Sequence, residues 1–132
     1  MTLSVTVPHI LALDEQVALA EKLVEAGADI IQTEGGTSSA PTHAGVLGLI
    51  EKAAPTLAAA AEISRAVDVP VLCASGISSV TAPMAIAAGA AGVGVGSAIN
   101  KLDNEVAMIA AVRAIVESLN TVARVPANVS KG

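Results

Sequence analysis

The sequence predicts an α/β fold: four strand–helix units in a parallel sheet, forming half of a TIM-type (β/α) barrel as one domain over residues 1–132. Three observations carry that expectation. Short aliphatic strand patterns alternate with stretches of helical periodicity, and strands joined through helices run parallel with right-handed crossovers. A block also recurs: EAGADIIQTEGG from Glu25 aligns with AAGAAGVGVGSA from Ala87 on Gly27 and Gly89, as in a barrel built by duplication. Finally, 132 residues make one sizeable core but fall short of an eight-stranded barrel.

In order along the chain, Leu3, Val5 and Val7 alternate with Ser4 and Thr6 in a first strand that Pro8 and His9 end. Asp14 is the expected cap of a helix in which Leu13, Val17, Ala20 and Val24 recur at helical spacing until Gly27 stops it. Asp29 to Glu34 is the second strand. The loop after it, GGTSSAPTHAG, is rich in turn formers and long for a βα connection. Two helices are expected next, Leu47–Ala53 and, beyond Pro55, Thr56–Val67. The third strand, Val69–Cys73, follows. Ser78, Ser79 and Thr81 are candidate caps of the next helix, which tolerates Pro83 only in its first turn and ends at Gly89. Val93 and Val95 make the fourth strand, with Gly92, Gly94 and Gly96 on one face. Asp103 is the expected cap of a final helix whose buried stripe is Val106, Ile109, Val112, Val116 and Leu119, and the aperiodic tail from Arg124 is expected to fray.

Composition narrows the function. Hydrophobic residues make up 53% of the chain and aromatic residues 0%, so the core is built of Ala, Val, Ile and Leu and no base or ring can be stacked. A net charge of −5 argues against nucleic acid or an anionic membrane as partner. A bound phosphate is therefore expected to be held by backbone dipoles. The single Cys73 forbids an internal disulfide and suits a reducing compartment. Although Val69 to Asn100 lacks charge, two prolines, five glycines and four serines interrupt it, which argues against a membrane span. The chain opens on a strand pattern with no signal or transit signature.

The strongest functional hint is Val69–Lys101, where two glycine turns follow the third and fourth strands. In barrels the turns after the last two strands commonly hold a phosphate. The candidates are Ser75, Gly76, Ile77 and Ser78 in one turn and Gly96 and Ser97 in the other; the alternative is that these glycines serve tight turns and helix–sheet packing. Glu34 is the charged side chain at a strand's C-terminal end, where partial burial would raise its pKa toward that of a general base. The competing role is to accept amide bonds from the Gly35, Gly36 and Thr37 turn. His9 ends the first strand on the same rim and could orient or protonate a substrate, or simply hydrogen-bond its loop. His43 sits in the long loop, as part of a lid or as a solvated residue. Lys101 is placed to reach an anion or to pair with Glu34. Cys73 reads as a small core residue. Neither a metal-ligand spacing nor a strand-to-helix dinucleotide fingerprint is present, and no strand contains a lysine for Schiff-base chemistry.

The segments LSVTVPHILALDEQ, GADIIQTEGGTSSAPTHAG, LGLIEKAAPTLAAAAEISRAV and PVLCASGISSVTAPMAIAAGAAGVGVGSAINK closely resemble the second half of the hypothetical chloroplast reading frame twenty-three family of cyanobacteria and algal plastids. The resemblance reaches about Leu119. It implies a phosphate-binding TIM barrel about twice this length with no assigned reaction, in the cytoplasm or the plastid stroma. It also implies that the third and fourth strands here correspond to the seventh and eighth of that barrel. Two readings of function stand at this point. One is binding of a phosphorylated small molecule, such as a sugar phosphate or a flavin nucleotide, with Glu34 and His9 acting on it. The other is a scaffold without chemistry, whether a self-assembling half-barrel or a structural or regulatory subunit. Either way the open face and edges of four strands call for a homodimer or a complementary half-barrel.

Overall fold

The computed structural model describes residues 1–35 and 41–130, with side chains described through residue 121. Four strands form one sheet in sequence order: β1 (Ser4–Thr6), β2 (Ile30–Gln32), β3 (Val71–Ala74) and β4 (Gly92–Gly94). All pairings are parallel, with Thr6 opposite Gln32, Gln32 opposite Leu72, and Ala74 opposite Gly94. The connections are α1 (Leu13–Glu25), α2 (Gly45–Ala66) and α3 (Ala82–Ala88), followed after β4 by a short α4 (Ser97–Asn100) and by α5 (Glu105–Ser130). The α/β class and the four-strand parallel order are those expected.

Alternation along each strand sorts the side chains. Val7, Ile31, Thr33, Val71 and Cys73 are buried beneath the helices, together with Ala20, Ala53, Ala59, Ala60, Ile63 and Ala85. Ser4 and Thr6 on the opposite face are exposed, and Gln32, Leu72, Gly92 and Gly94 are half-buried. Small side chains in both layers let helix and sheet backbones approach closely, which is how a chain without aromatics fills its interior. Gly27 and Gly89, the two positions aligned by the internal repeat, take φ of 114° and 119° just past their helices. That left-handed turn suits glycine, and its occurrence at both positions makes the repeat a structural one.

Several expectations are corrected. The helix pair around Pro55 is one helix, α2, with Pro55 inside it. Gly48, Ala53, Thr56, Ala59, Ala60 and Ile63 form a buried stripe that runs past the proline, while Pro55 itself faces solvent, where water can serve the carbonyl it leaves unpaired. The N-cap of α1 is Ala12, with no side-chain bond; Asp14 instead lies in the first turn beside Glu15, complementing the dipole. Thr81 holds the N-cap position of α3, yet its hydroxyl accepts the Ser78 amide from behind at 2.9 Å. Asn104 rather than Asp103 caps α5, accepting the Ala107 amide at 2.8 Å. The tail expected to fray from Arg124 has helical backbone to Ser130. Most consequential, four of the five residues assigned to the core stripe of α5 are exposed, Val106 by 78%, Ile109 by 48%, Val112 by 44% and Val116 by 49%, while Leu119 is half-buried against the core and Ile115 is buried. Among the described residues the helix layer runs α1, α2, α3, α5, with α5 at the end of the row.

Candidate functional site

The C-terminal ends of the four strands surround a cleft of about 910 Å³, within the size range of small-molecule sites. Its wall includes His9 after β1, Gln32 and Glu34 at the end of β2, Ser75 and Gly76 after β3, and Gly96 and Ser97 after β4. Lys52 from α2 and Lys101 from the end of α4 complete the polar lining.

The turn after β3 is the most constrained part of the rim. Ser75 has φ of 79° and Gly76 of 76°, two successive left-handed residues, the first with a side chain. A non-glycine residue held there costs about 1–2 kcal/mol, and such backbone collects at functional turns. A Cβ on Gly76 would lie 2.8 Å from the Lys52 carbonyl, so glycine lets the turn seat on α2 beside that lysine. After β4, Gly96 has open space: a Cβ there would meet nothing nearer than Asn100 Nδ2 at 4.0 Å. Among the described residues, no chain acceptor takes the amide hydrogens of Ser75, Gly76, Gly96 or Ser97. Ile77 and Ser78 do not line the cleft: the Ile77 side chain is buried in the core, and the Ser78 amide is occupied by Thr81. Gly92 and Gly94 serve packing, since a Cβ would meet Leu72 at 3.0 Å and Ala74 at 3.1 Å.

Opposite the glycine turns, His9 and Glu34 form a pair. The His9 amide donates to Glu34 Oε1 at 3.0 Å and His9 Nδ1 lies 2.9 Å from the same oxygen. Side-chain exposures of 32% and 35% leave both accessible from the cleft. The expected raised pKa of Glu34 is overturned: the His9 amide, and after it the His9 side chain, hold the carboxyl below its ordinary value against a smaller opposing effect of burial. Glu34 is thus an ionised acceptor. In the tautomer whose Nδ1–H donates to this carboxylate, Nε2 of His9 is the ring nitrogen left as an acceptor. The depressed pKa also predicts a pH signature. Stability contributed by Glu34 is complete above the ordinary carboxylate pKa of about 4.3 and is lost as pH falls through the lower folded value. Glu34→Gln should therefore cost about 0.5–1 kcal/mol near neutrality, given solvent screening. In urea titrations the difference from the parent should shrink toward zero at the acid end; Glu51, also lowered by the Thr42 hydroxyl and by His43, is present in both proteins and cancels.

Beneath the strand exits lies a buried hydroxyl cluster. Thr33 and Thr56 Oγ1 atoms are 2.6 Å apart, and the Thr56 hydroxyl donates to the Ala74 carbonyl, tying the exits of β2 and β3 to α2. Cys73 lies in this layer, fully buried, with its thiol pushed up by burial. It is the core residue expected. His43 lies away from the cleft wall, 2.8 Å from Glu51 Oε1, in a clamp completed by Thr42 on Oε2. Gly35 is buried against Ser75 and Thr56, whereas Gly36 and Thr37 lie outside the described residues.

Lys52 is the residue the sequence reading missed. Splitting α2 at Pro55 hid its position, yet Gly48, Lys52 and Thr56 are spaced by four and share one side of a continuous helix. The cleft consequently has a second lysine beside Lys101, the one the sequence offered as reaching an anion. Lys101 lines the same cleft; among the described residues, Glu34 contacts His9 and makes no ion pair with this lysine.

These features define a parallel α/β protein with a polar cleft at the carboxyl ends of its strands. Over residues 1–125 the chain matches the family described as "Protein of unknown function (DUF561)", and it belongs to that family. It is 44% identical over 108 residues to "Uncharacterized protein ycf23" of Porphyra purpurea, covering 82% of this chain and 41% of that protein. It is 40% identical to the protein of the same description from Pyropia yezoensis, covering 82% and 40%, and 36% identical to that of Cyanophora paradoxa, covering 89% and 48%. The chain thus spans less than half the length of these relatives. Among the described residues no helix is long and apolar enough to cross a membrane.

Proposed function

We propose that the cleft binds a phosphorylated small molecule, the phosphate at the Ser75–Gly76 and Gly96–Ser97 turns and the remainder toward His9 and Glu34. One observation supports this above the others: amides left without acceptors in the chain and the two lysines, Lys52 and Lys101, line the same wall. The arrangement places positive charge and N–H donors at one end of the cleft and a histidine–carboxylate pair at the other. With α4 only four residues long, the lysines and not a helix dipole supply the charge. A sugar phosphate suits the cleft better than a flavin nucleotide, because no aromatic side chain can stack a flavin ring. If the ligand is also a substrate, Nε2 of His9 is the proton acceptor. We place the protein in the plastid stroma or the cyanobacterial cytoplasm.

The scaffold reading is favoured by Gly92 and Gly94, where a Cβ would crowd Leu72 and Ala74. Thermal melts with inorganic phosphate, against sodium chloride at matched ionic strength, separate the two. Binding confined to the folded state should add about 2.7 kcal/mol at 100-fold over the dissociation constant. Lys52→Met with Lys101→Met should remove that response. A parent protein indifferent to phosphate and to sugar phosphates would leave the scaffold.

A further inference from the structure

We propose that a second copy of this chain closes the sheet into an eight-stranded barrel, β4 of each copy pairing in parallel with β1 of the other. The inference rests on the fold and not on the ligand reading.

The internal repeat fixes the geometry. Ser4 lies opposite Ile30, and Leu72 opposite Gly92; since Gly27 aligns with Gly89, Ile30 corresponds to Gly92 and Ser4 to Leu72. Following the register straight across the sheet from Ser4 leads to Ile30 and then to Pro70, one residue before Ile31's partner Val71. Pro70 stands two residues short of Leu72, the structural equivalent of the starting point. Each two-stranded unit therefore advances the register by two residues. Four units complete a ring of eight strands with a shear of eight, the combination that closes this kind of barrel. One copy holds two units, so two copies close the ring around a two-fold axis.

The two free edges carry the groups this pairing needs. On β1 the Leu3 carbonyl and the Val7 amide bond to β2, so Ser4 and Thr6 present their backbone groups outward. On β2 the even-numbered residues bond to β1 and the odd ones to β3, as in Ile31 to Pro70. Its repeat equivalent β4 accordingly turns Val93 and Val95 outward. Repeating the β2–β3 register sets Gly94 opposite Ser4, and Gly96 opposite Thr6, of the second copy. Inward-facing positions of alternate strands then form layers in which Ile30 alternates with Gly92 and Leu72 with Ser4. One large and one small residue per unit suits a filled barrel interior.

Area supports the same occupant. The chain exposes 7808 Å², whereas a compact monomer of 12.9 kDa should expose about 6,300 Å². Of the excess of about 1,500 Å², little more than half need be covered to reach the roughly 800 Å² per subunit of a stable interface. The exposed stripe Val106, Ile109, Val112 and Val116 lies on the helix at one end of the layer, and α1, with Leu13 exposed, lies at the other. Closure brings these two ends together. It also places the exit of β1 from the second copy beside Gly96, completing the cleft wall.

Sedimentation equilibrium across the micromolar range should give twice the mass of 12.9 kDa. Thr6→Pro deletes an outward N–H while keeping the Val7 bond to Gln32, so it should give a folded monomer by circular dichroism. As a positive test independent of that fold, Thr6→Cys with Gly96→Cys should cross-link into a covalent dimer on mild oxidation, these positions lying at opposite ends of the sheet within one copy. A monomeric parent, a double-cysteine protein that never cross-links between copies, or a dimer broken by Val112→Glu but untouched by Thr6→Pro would each overturn barrel closure.

Discussion

Gly76→Val should unfold at a far lower urea concentration than the parent, with a loss of about 2–5 kcal/mol. Two separate costs make up that figure. The residue must hold φ of 76°, a conformation that disfavours any side chain by about 1–2 kcal/mol and a β-branched one by more. The added Cβ must also displace the Lys52 carbonyl from 2.8 Å, and overpacking of this kind costs about 1–3 kcal/mol. Relief is not available locally, because that carbonyl belongs to the middle of α2, whose next turn carries Thr56 into the hydroxyl cluster beneath the rim. Moving Lys52 moves the cleft's lysine as well, so the variant should also lose its response to phosphate. Gly96→Ala is the matched control. Its Cβ would meet only Asn100 Nδ2, at 4.0 Å, and its φ of −117° is not left-handed, although ψ of −85° lies outside the main allowed regions, so its loss should stay at about 1 kcal/mol or less. Equal losses in the two variants would show that the turns differ less than their geometry implies.

The contrast between these two glycines also shows what the sequence could reveal. Both were visible as breakers after aliphatic strands, and the strand–helix alternation with the repeat at Gly27 and Gly89 gave the class, order and direction of the sheet. The left-handed turn at Ser75 was not visible, because serine carries no signal for φ of 79°. Propensity misled at Pro55, where a continuous buried stripe outweighed a local breaker. Periodicity misled in α5. The pattern of Val106, Ile109, Val112 and Val116 does mark an apolar face, but hydrophobic spacing says that a face seeks cover, not that the same chain covers it. For Glu34 the position was legible and the environment was not. The two His9 donors that lower its pKa come from 25 residues away, a contact no local pattern encodes.

Ile63→Ala should cost about 3–5 kcal/mol, the upper part of the range for large aliphatic truncations. Ile63 is 0% exposed and is among the largest fully buried side chains of the core. Its cluster consists mainly of Ala20, Ala28, Ala53, Ala59, Ala60, Ala82, Ala85 and Ala90, with Val7, Ile31, Val71, Ile77 and Ile115. Alanine has no side-chain torsion through which to swing into a void, and the valines and isoleucines are stiff at χ1. The cavity left by the lost methyl and methylene groups should therefore persist, whereas a core containing Phe or Met could partly refill it. Ile63→Val, which removes a single methylene, should cost only about 0.5–1.5 kcal/mol. Urea titrations of the two variants give the test: the midpoints should fall in that order with the slope unchanged, since both proteins bury the same surface when folded. A loss of under about 1 kcal/mol for Ile63→Ala would mean that the helix layer can settle onto the sheet. That outcome would contradict a core fixed by backbone-to-backbone contact through small side chains.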